Sequence, residues 1–248
     1  MRDWFPIVWE EMLTWRHRFW FYLITYTLSP LIFLLSFGLG VGYRFRLMLP
    51  GNVSYLEFLV PGIVALAVFN NAVSSVIIRL FYSRLFFRTF EAYRLAPVSN
   101  FALWWGFVLT GALRGLFAGL IVLLLALLLV PGIRLPWPLL FWLPLAAIVC
   151  SSFGVFLGFC LRSFDDQALI NEFLLIPMSF FSGTLAALDR LPPFLQKLIW
   201  LSPLTPVTQA LRHVFACKPV PFSLMVLLAA WLVLFGLLSW WRLMRQED

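Results

Sequence analysis

Long stretches without a single Asp, Glu, Lys or Arg dominate this chain: residues 19–43, 58–78, 95–113, 115–133, 135–161, 173–188 and 219–241. About 20 consecutive apolar residues cross the hydrocarbon core of a bilayer as one helix. Within that core each backbone N–H and C=O must find its partner inside the protein, so such stretches fold as helices. Composition agrees, because 62% of the residues are hydrophobic and 12% are charged, a mix that no soluble fold can hide.

The runs 95–113 and 115–133 are parted only by Arg114, with no turn signal, and read as one helix from about Trp104 to Val130. Pro131-Gly132 and Pro136-Trp137-Pro138 mark a turn before the run 135–161. The run 173–188 is short and reaches spanning length only if it begins near Ala168 and takes in Glu172. The expectation is an all-α integral membrane fold: one transmembrane domain over residues 1–248, with six transmembrane helices and both termini on one side.

With the termini in the cytosol, the inner flanks hold Arg2, Arg16, Arg18, Arg79, Arg84, Arg88, Arg94, Arg162, Arg242 and Arg245. The outer flanks hold Arg44, Arg46, Arg134, Arg190, Lys197, Arg212 and Lys218. The excess is modest but favours cytosolic termini. A net charge of +7, scattered between apolar runs, points to anionic lipid head groups and not to nucleic acid. Three cysteines make no disulfide framework, and Cys150 and Cys160 lie inside one apolar run as packing residues. Asp3, Glu10 and Glu11 stand where a signal peptide would carry a basic region, so no cleavable signal is expected.

Three segments outside the spans carry pattern. Over residues 1–18, Trp4, Val8, Met12 and Trp15 recur every three or four positions, and the charged residues fall largely elsewhere. This predicts an amphipathic helix in the membrane interface, either a plain anchor or part of gating. Residues 79–99 mix Phe86, Phe87, Phe90 and Tyr93 with Arg79, Arg84, Arg88 and Arg94 and end at Ala96-Pro97. That suits either a short helix against a cytosolic partner or an ordinary positively charged inner loop. Residues 189–218 are rich in proline yet apolar and predict two short helices, as a re-entrant hairpin or a surface cap.

Chemistry is sparse. Neither Lys197 nor Lys218 follows a glycine, so the G-x-x-x-x-G-K-[ST] phosphate loop is missing. His17 and His213 have no partner at a metal-binding interval, and no G-x-S-x-G or H-E-x-x-H motif occurs. Two ionisable residues are candidates for a substrate path, Arg114 and Glu172. Arg114 either meets an anionic substrate, snorkels, or pairs with Glu172. An ion-coupled transporter and a membrane-embedded lipid-modifying enzyme are the competing classes.

Two blocks resemble the ABC-2 type transporter permeases, a family that includes polysaccharide, nodulation-factor and drug exporters. The first is LEFLVPGIVALAVFNNAVSS at 56–75 followed by FRTFEAYRLAPVSNFALWWG at 87–106, with Pro61, Gly62, Glu91, Ala96 and Pro97 at the matching positions. The second is 176–214, where Ser182-Gly183, Leu191-Pro192, Ser202-Pro203-Leu204-Thr205 and Leu211-Arg212 match in order. The family usually has a proline or other small residue near Ala186 and Ala187.

The resemblance implies a half-transporter of the cytoplasmic (inner) membrane, paired with a second copy of itself and with two cytosolic ATPase subunits. ATP and magnesium would be held by the ATPase, with no cofactor on this chain. The cargo would be a lipid-linked glycan, a lipo-oligosaccharide or a hydrophobic compound. The ATPase would dock on Arg84, Phe87, Arg88, Phe90, Glu91, Arg94 and Pro97.

Overall fold

The computed structural model describes residues 4–36, 48–49, 53–87, 89–96, 98–130, 133, 135–184 and 192–245. Helix α1 spans Phe5–Phe33 and bends at Arg18, where φ −121° and ψ 25° leave the helical range. The bend falls where the amphipathic pattern gives way to the first apolar run. Two-residue strands β1 (Met48–Leu49) and β2 (Val53–Ser54) pair antiparallel. Then follow α2 (Tyr55–Phe81), running on into a π-helical turn Tyr82–Phe86, and the short α3 (Thr89–Leu95). Helix α4 is Asn100–Leu129 and α5 is Leu139–Cys160. A helical run of three parts comes next: α6 (Phe164–Ile170), a π turn Asn171–Leu175 and α7 (Ile176–Phe181). The chain ends with α8 (Pro193–Ile199), α9 (Leu204–Phe215) and α10 (Phe222–Arg245).

Among the described residues, five helical runs are long and apolar enough to cross a bilayer: Phe5–Ser36, Glu57–Phe86, Asn100–Leu129, Leu139–Cys160 and Phe222–Met244. The sequence expectation was six. The remaining run was expected from about Ala168 to 188; residues 185–188 lie outside the described residues, and the described helical run is 164–181. It starts at Phe164 because Ser163 and Asp166 form a reciprocal capping box, each side chain accepting the other's backbone N–H at 3.1 Å. It stops at Phe181 because Gly183 turns the chain at φ 76°, a conformation that favours glycine. Helix α4 likewise begins before Trp104, since the Ser99 hydroxyl accepts from Ala102 N at 3.2 Å. Ser163→Ala should lower the stability of the purified protein by about 1 kcal/mol, read as a reduced thermal midpoint.

Packing centres on α2, which lies against α4, α5 and α9. Small residues allow the approach. Gly111, Gly115 and Gly119 repeat every fourth position on α4, and a Cβ on Gly115 would sit 2.9 Å from Val68 O. On α5, a Cβ on Gly154 would sit 2.9 Å from the Val73 Cα. Between apolar helices in lipid, such close backbone contact supplies the dispersion energy that holds them together. The Ser151 hydroxyl adds a 2.7 Å bond from α5 to Val108 O on α4.

Helix α9 is short but deeply placed. Leu204, Thr205, Val207 and Thr208 are fully buried or nearly so, and the Thr205 and Thr208 hydroxyls are satisfied by Ile199 O and Leu204 O. By contrast α10 and the second half of α1 leave most of their apolar surface uncovered.

Candidate functional site

One face of α2 breaks the apolar pattern. Asn70, Asn71, Ser74 and Ser75 fall within six positions of an otherwise hydrophobic helix, and Asn70 is exposed. An amide or hydroxyl in hydrocarbon is costly unless it has a partner or meets water; Asn71 and Ser75 donate to Ala67 O and Ala72 O of their own helix, while Asn70 and Ser74 line a cavity. Across from it, the Ser179 hydroxyl on α7 donates to Asn70 Oδ1 at 3.1 Å. Between these elements lies a cavity of about 200 Å³, where Asn70, Ser74, Asn171 and Ser179 face Phe33 and Phe180.

Neighbouring cavities continue it in both directions. Towards Tyr82 a space of about 520 Å³ shares Ser74 and Asn171 and adds Gln167. Towards α1 a space of about 250 Å³ shares Asn70 and Ser74 and adds Thr25 and Tyr26. Together they form a groove along α2, walled by α1 on one side and by the run 164–181 on the other. Sequence reasoning missed these residues because it looked for charges within the spans. The signal was present as the Asn-Asn pair followed by Ser-Ser three residues on.

Arg114 and Glu172, the two candidates for the substrate path, are not brought together. Glu172 is exposed on the π turn next to the groove, accepting from Asn171 Nδ2 at 3.3 Å. Arg114 lies between α4 and α1, where its Nε donates to Glu11 and its guanidinium stands 5.1 Å from the centre of the Tyr22 ring. The alternative pairing of Arg114 with Glu172 is therefore corrected to Arg114 with Glu11. Glu11 was expected off the apolar side of its helix, yet it is 2% exposed. It turns inward because two arginines, Arg79 and Arg114, need its carboxylate.

The residues expected to dock an ATPase divide into two groups. Phe87 is 71% exposed, and Phe86 and Glu91 are also open. Arg84 and Phe90 face inward. Arg84 donates to Gly158 O at 3.0 Å near the end of α5 and lies over the Phe159 ring, and Phe90 is buried against Phe107 and Phe159. The Tyr93 hydroxyl donates to Glu10 at 2.7 Å, and burial together with that bond pushes its pKa up to about 12, so it remains a donor at physiological pH. Arg88, Pro97 and the Arg94 side chain lie outside the described residues.

At the opposite end of α2, Arg212 of α9 stacks its guanidinium 3.7 Å from the centre of the Phe58 ring and donates to Thr184 O at 3.3 Å. A Cβ on Gly62 would collide with that same carbonyl. The start of α2 thus meets the Ser182-Gly183-Thr184 turn and α9, so two blocks of sequence more than a hundred residues apart form one joint. Those are the blocks that carried the family resemblance, and comparison with known proteins bears on them directly. The ABC-2 type transporter family model matches residues 3–216. The chain belongs to this family. It is 30% identical over 237 residues to the inner membrane transport permease YadH of Escherichia coli strain K12, covering 94% of this chain and 91% of that protein. Nodulation protein J of Rhizobium leguminosarum bv. trifolii is 27% identical over 226 residues, covering 88% and 83%. Nodulation protein J of Neorhizobium galegae is 24% identical over 223 residues. The ABC-2 match takes in α1 through α9, and so includes both walls of the groove and the Gly62–Thr184–Arg212 joint.

Proposed function

We propose that this ABC-2 family chain is the permease subunit of an ATP-driven exporter, and that the groove along α2 carries the cargo. The observation behind this is a line of uncharged amides and hydroxyls beside apolar walls. Such a surface lets the polar head of an amphiphile pass along Asn70, Ser74 and Ser179 while its tail stays against Phe33, Leu66 and Phe180. A lipid-linked glycan, a lipo-oligosaccharide or a hydrophobic compound has that character. The groove is open to one side, and a second copy of the chain would close it as a homodimer. Two cytosolic ATPase subunits supply the energy, binding ATP and magnesium themselves.

In this arrangement the termini are cytosolic in an inner membrane, the run 164–181 completes six crossings, and the helix before Arg18 lies in the interface. Helices α8 and α9 form a re-entrant external hairpin, in keeping with the burial of α9, since backbone at bilayer depth must be enclosed by protein. An ion-coupled transporter would need a carboxylate free to take up protons or sodium, and Glu11, held by two arginines, does not offer one. Asn70→Leu and Ser74→Leu should each reduce export about tenfold at equal membrane abundance, with the ATPase still co-purifying. Wild-type export by both variants would remove the groove from the path. Purification of the wild-type chain without any ATPase would sink the exporter function itself.

A further inference from the structure

The half of α1 that precedes the bend is fastened to the protein by charge. Its inward face is Ile7, Val8 and Glu11, and a Cβ on Gly106 of α4 would sit 2.8 Å from the Ile7 Cδ1, so that glycine makes the seat. The Glu11 carboxylate accepts from Arg79 at the end of α2, from Arg114 within α4, and from Trp15 Nε1 at 2.8 Å. Arg79 also donates to Glu10 at 2.8 Å and to Ile7 O at 3.2 Å, and Tyr93 of α3 donates to the same Glu10 oxygen. Two carboxylates and two guanidiniums cancel in charge, and four helices meet at this node.

We infer that this node is a latch that transmits movement from α3 to α1, with Glu11 as its positioning residue. Glu11 with the guanidiniums of Arg79 and Arg114 is the buried part of the cluster, where removing one partner leaves a charge uncompensated, while Glu10 and the bond it accepts from Tyr93 lie at the exposed edge. Movement of α3 pulls on Glu10 through Tyr93. Glu10 belongs to the half of α1 before Arg18, which Arg79 and Arg114 fasten to α2 and α4 through Glu11, and Arg114 holds the other side of the bend through Tyr22. Beyond the bend, α1 supplies Thr25, Tyr26 and Phe33 to the groove wall. The node therefore joins the segment proposed to meet the ATPase to a wall of the proposed path. This inference rests on the exporter function above.

Two measurements test it. The first needs no ATPase: with Cys160 and Cys217 replaced by Ser, a cysteine at buried position 8 is labelled by a maleimide in detergent. Glu11→Gln should raise its labelling rate about tenfold by freeing the helix, and Arg114→Lys, which keeps the charge, should raise it less. An unchanged rate in Glu11→Gln would show that the carboxylate holds nothing and would overturn the latch. The second measures cargo exported per ATP hydrolysed by the assembled exporter. Tyr93→Phe removes one hydroxyl and leaves the ring, so the complex should assemble and hydrolyse ATP while export per ATP falls several-fold. An unchanged ratio would overturn transmission through Tyr93 even if the labelling result stood. Loss of the ATPase from the wild-type preparation would instead fault the exporter function, and with it the transmission role, leaving the labelling result to decide the latch.

Discussion

Gly111→Leu should leave almost no folded permease in the membrane. A Cβ at this position would overlap the Val76 side chain and the Ser151 hydroxyl, and it would lie 2.9 Å from the Ala72 carbonyl oxygen. Side chains can turn away, but Ala72 O belongs to the backbone of α2 and can yield only if the two helices part. Parting them loosens the contacts further along α4, at Gly115 and Gly119, and strains the Ser151 to Val108 bond on the other side. Helices in lipid have no hydrophobic drive to restore the contact, so lost dispersion is not recovered elsewhere. Overpacking typically costs about 1–3 kcal/mol for added methylenes in an adjustable core. Here Leu adds a whole side chain against backbone, and the cost should exceed that range. Gly236 is the control, because a Cβ there would meet only Trp104, at an ordinary 3.5 Å. Size-exclusion profiles in detergent should show no monodisperse peak for Gly111→Leu, a reduced peak for Gly111→Ala and a normal one for Gly236→Ala. A normal profile for Gly111→Leu would mean that the α2–α4 contact does not hold the bundle.

The spans were legible because bilayer thickness and backbone pairing leave so few solutions for apolar runs of this length. The bend at Arg18 was foreshadowed where the amphipathic pattern gives way to the apolar run. Helix ends were less so: Ser163 lies outside the apolar runs and Ser99 within one but ahead of the expected start at Trp104, and their capping role emerges only from the hydrogen bonds they accept. The ion node was hidden for another reason. Glu11 and Arg114 are 103 residues apart, and nothing local to either marks the other as its partner. The groove fell between these cases. Its Asn and Ser residues stand in plain view on α2, but small polar side chains in a span also occur as helix-packing groups, and only the cavity beside them separates the two roles. Phe90 shows the converse failure: aromatic composition suggested contact with a partner, and the fold turned that ring into its own core.

That division within residues 79–99 sharpens what docking of an ATPase requires. Phe87→Asp should reduce ATPase co-purification tenfold or more, and Glu91→Lys should weaken it less, while both proteins insert and remain monodisperse. Phe87 is 71% exposed and Phe86 stands beside it, so the pair offers the kind of aromatic anchor whose loss at an interface commonly costs about 2 kcal/mol or more. A charge at position 87 adds the burden of desolvating a carboxylate within the contact. Glu91 is exposed on α3 and would pair with a basic group at the edge of the contact, where a charge governs encounter more than affinity. Phe90→Ala should behave differently. It empties a buried site beside Phe107 and Phe159, and the loss of about 3–5 kcal/mol should appear as lower thermal stability of the permease alone. If Phe87→Asp and Glu91→Lys both retain wild-type ATPase binding and export, the exposed face of this segment is an ordinary positively charged loop and the ATPase seats elsewhere.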